Sequence, residues 1–137
     1  MEFVNVYEDD VRAKAYAQMQ FPGTYYLAYR DLPDIILNHT QGEGRRAIDF
    51  GCGAGRSTRF LQKLGFAAVG VDISADMIKI ARDMDPQGDY RLMQDGNLGP
   101  FDDKSQDLVL AVFTFDNIPT GASKIKILNE IRRVLTP

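Results

Sequence analysis

Two aspartates and a run of alternating glycines stand at spacings that could hold a nucleoside. Ala47-Ile48-Asp49-Phe50 is a short apolar run carrying one carboxylate. It leads into Gly51-Cys52-Gly53-Ala54-Gly55 and then into a helix start at Arg56-Ser57-Thr58. Such a strand–loop–helix turn brings backbone close to a ligand, because a Cβ at the glycines would block either the tight turn or the ligand. Asp72 closes a second apolar run, Ala67 to Val71. It follows the loop by about 20 residues, the spacing of an acid that binds ribose hydroxyls in a doubly wound nucleotide fold.

The order of elements supports that placement. Strand one is Ala47 to Phe50, and its helix carries Phe60, Leu61 and Leu64 before a left-handed stop at Gly65. Strand two is Ala67 to Val71, and Ser74 is a good N-cap for a helix with Met77, Ala81 and Met84 on one face. Pro86-Gln87-Gly88 turns the chain into a short strand, Tyr90 to Met93, and 96–104 reads as a loop. Leu108 to Phe113 is wholly apolar, suited to a strand buried on both faces. Ile127, Leu128, Ile131, Val134 and Leu135 recur at helical spacing over about Ser123 to Leu135. This alternation predicts an α/β fold, a Rossmann-like doubly wound and mainly parallel sheet with helices on both faces.

Two domains of unequal weight are expected, an N-terminal helical cap over 1–45 and a core over 46–137. Before the core, Val11 to Gln20 favours a helix that Pro22-Gly23 breaks. Tyr25 to Tyr29 fits helix or loop, and Asp31-Leu32-Pro33 resembles a helix entry. After the last helix a doubly wound domain would send another strand into the sheet. A chain ending at Pro137 lacks those last strands, which would leave 108–113 as an apolar edge. The expectation is a shortened chain, a fragment, or a subunit that covers the edge as a homodimer.

Composition narrows the classes. The 137 residues carry a net charge of −3, which argues against a nucleic-acid partner. Cys52 is the single cysteine, so no intrachain disulfide can form and a reducing, cytoplasmic setting fits. Cys52 reads as a small residue suited to a tight loop. No apolar run approaches the ~20 residues of a membrane span, and the first residues lack the flanks of a signal peptide. The lone His39 reads as a surface residue, and no His/Cys cluster has metal-ligand spacing.

Two details sharpen the glycine loop. Its spacing is G-x-G-x-G, and Arg56 stands where the dinucleotide fingerprint needs its third glycine. Asp49, two residues before Gly51, would repel a pyrophosphate and suits a cationic group. Both count against an NAD-dependent oxidoreductase. Asp49 through Gly55 resembles motif I of the class I S-adenosylmethionine-dependent methyltransferases. Val71-Asp72-Ile73-Ser74-Ala75-Asp76-Met77 is similar to that family's second motif. Gln94-Asp95-Gly96 and Phe101 through Val109 resemble its third and fourth, and Glu130 through Pro137 resembles the helix before its fifth strand.

The resemblance implies S-adenosylmethionine as cofactor and S-adenosylhomocysteine as product. It places Gly51, Cys52, Gly53 and Gly55 beneath the methionine part, and Asp49 facing its ammonium directly or through water. Asp72 would accept both ribose hydroxyls, since a carboxylate can take two hydrogen bonds. Ile73 and Met77 would pack on the adenine faces, Asp95 and the Gly96 amide would meet the adenine edge, and Val112 and Phe113 would border the sulfur. It further implies a methyl acceptor, read as a small molecule because the chain lacks both a basic excess and the Asn/Asp-Pro-Pro-aromatic signature. Met77 also fits plain core, Asp95 a turn, and Asp116 a turn or a base. No residue stands out as a catalytic base. Tyr7, Tyr16, Tyr25 and Tyr26 resemble lid residues and also fit half-buried packing. Asp102 and Asp103 read as solvated loop charges, and Arg132 and Arg133 as cations at a helix C-terminus. A second reading is a non-catalytic, cofactor-holding half-domain that works with another chain.

Overall fold

A computed structural model describes residues 24–40 and 44–137. The run Val11–Gln20, Tyr7 and Tyr16 lie outside these residues. In chain order the elements are α1 (Thr24–Arg30), α2 (Leu32–His39), β1 (Arg46–Phe50), α3 (Arg56–Lys63), β2 (Ala67–Asp72), α4 (Ala75–Met84), β3 (Asp89–Leu92), β4 (Leu108–Leu110), a 3-10 turn (Phe115–Asn117) and α5 (Gly121–Val134). The strands form a 4-stranded sheet in the order β3-β2-β1-β4, with every pairing parallel. The chain winds outward from β1 to β3 and then crosses to the far side of β1. Strand order therefore reverses between β1 and β4, and the carboxyl ends there form the crevice where such sheets bind ligands.

Alternation along the strands builds two apolar layers. Ile48, Phe50 and Val71 point to one face and pack with Leu98, Phe101, Ile127 and Val134. Ala47 and Ala68 point to the other, where they meet Ile36 of α2, Leu61 of α3, Phe66 and Leu110. The sheet is thus covered on both sides, the arrangement parallel sheets require. Helix boundaries follow local chemistry. Ser74 Oγ accepts from the Met77 amide at 3.3 Å, and Gly65 ends the turn after α3 with φ +92°. Tyr25 to Tyr29 is helical, and α2 carries Pro33 in its first turn.

One sequence expectation is corrected. The strand foreseen over Leu108–Phe113 stops at Leu110 and is half-buried at a sheet edge. Phe113 turns into the left-handed region at φ +57°, which no extended strand tolerates. Beyond β4 a parallel bridge joins Leu135 to Gln106. Arg133 does more than face a helix dipole. Its guanidinium donates to the carbonyls of Leu98 (2.9 Å) and Phe101 (2.9 Å) and pairs with Glu130 and Asp103. It thereby pins the 98–103 loop onto α5, and Asp103 is a solvated loop charge that also pairs with Arg133.

Candidate active site

The crevice is a cavity of about 500 Å3 at the carboxyl ends of the strands. Its floor is the glycine loop. Gly51, Gly53 and Gly55 all have positive φ (+78°, +53° and +87°), a conformation that side chains rarely adopt. The sequence suggested that a ligand requires these glycines. The protein's own packing requires two of them as well. A Cβ on Gly51 would collide with Oγ1 and Cγ2 of Thr114. A Cβ on Gly55 would lie 2.7 Å from the Tyr90 ring and 2.9 Å from the Arg59 guanidinium, which in turn donates to the Ala54 carbonyl at 2.9 Å.

Asp72 joins the loop to the end of β2. One carboxylate oxygen accepts from the Gly53 amide at 2.9 Å, the other from the Ser74 amide at 2.9 Å. Each oxygen keeps a further lone pair, and the residue lines the cavity. Burial raises its pKa, opposed by the Ser74 and Gly53 amides. Asp72 therefore does not cap α4, since Ser74 does.

The sequence-chosen residues Gly51, Gly53, Asp72, Ile73, Met77, Asp95, Gly96, Val112 and Phe113 all line this cavity, and Asp49, Cys52 and Gly55 do not. Ile73 is 49% exposed and Met77 almost wholly buried, so Met77 serves the core and the cavity wall together. Asp95 and Gly96 are the two centres of a turn closed by the Asn97 amide on the Gln94 carbonyl (2.8 Å). Both have positive φ, the backbone that an Asp-Gly pair favours. A Cβ on Gly96 would meet Ile127 at 2.8 Å.

Asp49 lies beneath the loop, 1% exposed, because its strand position faces α3. Its Oδ2 accepts from the Ser57 (2.5 Å) and Thr58 (2.7 Å) hydroxyls, and Oδ1 has no partner among the described residues. Burial pushes its carboxyl up to about 6, against the pull of those two hydroxyls. Cys52 is buried beside it, and burial holds its thiol well above the ordinary range. An inert, protonated thiol fits the small-residue role.

Other cavity residues went unmarked in the sequence: Thr114, Ile118, Pro119, Ser123 and Lys126. Ser123 and Lys126 sit on a helix read only for its apolar spacing. Asp116 is exposed in the 3-10 turn and does not line the cavity, in keeping with a turn role. Tyr26 is 59% exposed, and no described residue of α1 or α2 lines the cavity. His39 is exposed, with Nδ1 2.8 Å from the Ile35 carbonyl. Among the described residues no His/Cys/Asp/Glu cluster could hold a metal ion, and no helix is long and apolar enough to cross a membrane.

A glycine loop, a carboxylate ending the second strand and an Asp-Gly turn facing both agree with the motif resemblance. The family described as "Methyltransferase domain" matches residues 48–137. The chain belongs to the methyltransferase domain family. A demethylmenaquinone methyltransferase of Tropheryma whipplei (strain Twist) is 39% identical to this methyltransferase domain over 105 residues, covering 74% of the chain and 41% of the relative. An N-demethylindolmycin N-methyltransferase of Streptomyces griseus is 32% identical over 133 residues, covering 95% and 55%. A crystal structure of a SAM-dependent methyltransferase from Methanosarcina mazei superposes with a TM-score of 0.67 at 27% identity, covering 75% of this chain and 52% of that one. A more distant relative, 29% identical, is a probable 18S rRNA (guanine-N(7))-methyltransferase of Dictyostelium discoideum, covering 78% of the chain and 38% of the relative. The methyltransferase domain thus spans about half the length of the curated relatives it matches.

Proposed function

We propose that this chain binds S-adenosylmethionine in the cavity at the β1–β4 crevice and is the cofactor-binding part of an S-adenosylmethionine-dependent methyltransferase with a small-molecule acceptor. The observation that carries the reading is Asp72. Its carboxylate bridges the glycine loop and the end of β2 and keeps acceptor capacity on both oxygens beside the cavity. That arrangement suits two adjacent sugar hydroxyls. Ile73 and Met77 offer an apolar slot for the adenine ring, with the Asp95-Gly96 turn at its edge. Gly51 and Gly53 leave backbone exposed for an amino-acid tail. Asp49, under the loop, has a spare Oδ1 that a bridging water could link to the ammonium. Bound there, the cofactor supplies an electrophilic methyl on a sulfonium. Val112 and Phe113 wall that end of the cavity with apolar surface, and this exclusion of water favours loss of the sulfonium charge. Alignment does the remaining work, so no catalytic base is assigned.

A small-molecule acceptor is supported by the net charge of −3 and by the acceptors named for two of the relatives. The rRNA-modifying relative supplies the competing class. Isothermal titration with S-adenosylhomocysteine tests the cofactor assignment. Wild type is expected to bind, and Asp72→Ala to lose about 1–3 kcal/mol, the range for hydrogen bonds to a charged acceptor. A wild type that does not bind, or a variant that binds equally well, refutes it. Binding of RNA at physiological salt would overturn the small-molecule reading.

A further inference from the structure

The floor of the cavity and the rim beyond β4 meet at one side chain. Thr114 Oγ1 donates to the Phe50 carbonyl at 3.0 Å, just past the last paired residues of β1 and β4, Asp49 and Leu110. The Val112 carbonyl, at 3.3 Å, is the other acceptor within reach. The same side chain fills the space that a Cβ on Gly51 would occupy. Phe113, immediately before it, holds a left-handed backbone at φ +57°. That conformation is costly for a bulky residue and persists where surrounding contacts impose it. Downstream, the Asn117 side-chain amide donates to the Phe113 carbonyl at 3.2 Å and ties the 3-10 turn to the same point. Phe113, Thr114 and Asn117 all line the cavity.

We infer that Thr114 is a positioning residue that latches the loop after β4 onto the first glycine of the cofactor loop, so that one contact sets the separation of the two cavity walls. The inference rests on the cavity being the S-adenosylmethionine site. The side chain has two separable parts. The hydroxyl secures the loop to the last carbonyl of β1, and the branched Cβ with its substituents fills the notch above Gly51. Thr114→Ser keeps the hydroxyl, and Thr114→Val keeps the shape while losing the donor.

The test is isothermal titration with S-adenosylhomocysteine, with a thermal unfolding midpoint recorded for each variant. Thr114→Val should bind about tenfold more weakly, the loss expected when a carbonyl gives up its donor. Thr114→Ser should stay within about threefold of wild type at a similar midpoint. Gly51→Ala should bind more weakly still, and adding Thr114→Gly should restore part of that loss, since neighbouring sites couple in a double-mutant cycle. The latch is overturned if Thr114→Val binds like wild type. It is also overturned if the serine and valine variants weaken equally and in step with their midpoints, or if the Gly51 and Thr114 effects simply add. Failure of the wild type to bind would instead overturn the cavity assignment and the latch with it.

Discussion

The buried carboxylate beneath the glycine loop makes the dependence of stability on pH a direct measurement of its environment. Asp49 moves from an ordinary 3.8 to about 6 on folding, because burial penalises its charged form and the nearby Asp72 charge adds to that penalty. Between those values the folded chain holds a proton that the unfolded chain has released. The stabilisation is complete below the unfolded value and is lost as pH rises through the folded one, so stability falls between about pH 4 and pH 6 and then levels. The rise from 3.8 to about 6 corresponds to ~3 kcal/mol. Asp49→Asn keeps the shape and an acceptor for the Ser57 and Thr58 hydroxyls, and it cannot ionise. Glu130, whose carboxyl is lowered by its hydrogen bond to Arg133, adds a trend of opposite sign that is common to both proteins and cancels. Urea unfolding followed by circular dichroism from pH 4 to pH 8 should show the stability difference moving toward the variant by about 3 kcal/mol as pH rises. A difference that stays constant across this range would mean that Asp49 keeps its ordinary pKa and that its burial is not what the geometry describes.

Other perturbations separate packing from binding. Gly70→Ala should destabilise by about 1–3 kcal/mol in urea unfolding, because its Cβ would stand 2.8 Å from both Thr58 Oγ1 and the Tyr90 ring and 3.0 Å from the Cys52 Cβ. Unchanged stability would mean that β2 can shift away from the loop. Arg133→Met keeps the aliphatic stem and loses donors to Leu98, Phe101, Glu130 and Asp103. It should cost about 1–3 kcal/mol and speed hydrogen exchange in residues 98–103 more than elsewhere. Uniform exchange would remove its role as a loop clamp.

The sheet was legible because its apolar runs are short and punctuated by glycine, and because Ser74 and Gly65 mark helix ends by chemistry local to them. The cavity wall was legible for the same reason, since Asp72, the Asp-Gly pair and the glycines each act within a few residues of chain. The readings that changed depended on distant partners. Leu108–Phe113 carries no breaker, so nothing local announces that Phe113 turns left-handed and points its neighbours into the cavity. Gly51 and Gly55 were recognised, yet their packing against Thr114 and Tyr90 is long-range and invisible to spacing. Asp49 was legible as a carboxylate beside the loop, and its Ser57 and Thr58 hydroxyl partners were not. Arg133 was legible as a cation in the last turn of a helix, and its further role was not, because the carbonyls it serves lie in a loop far upstream.

The Tyr90 ring has a consequence for how this chain can vary. It occupies the space that side chains on Gly55, Gly70 and Gly88 would claim, while its hydroxyl donates to Asp85 at 2.7 Å. One aromatic side chain on the third strand therefore holds three small residues to hydrogen at once. Substitution at 55, 70 or 88 is therefore tied to residue 90. Asp85 at Gly88, Thr58 and Cys52 at Gly70, and Arg59 at Gly55 close the same spaces from other sides, and a smaller residue at 90 would leave the glycine loop without its buttress.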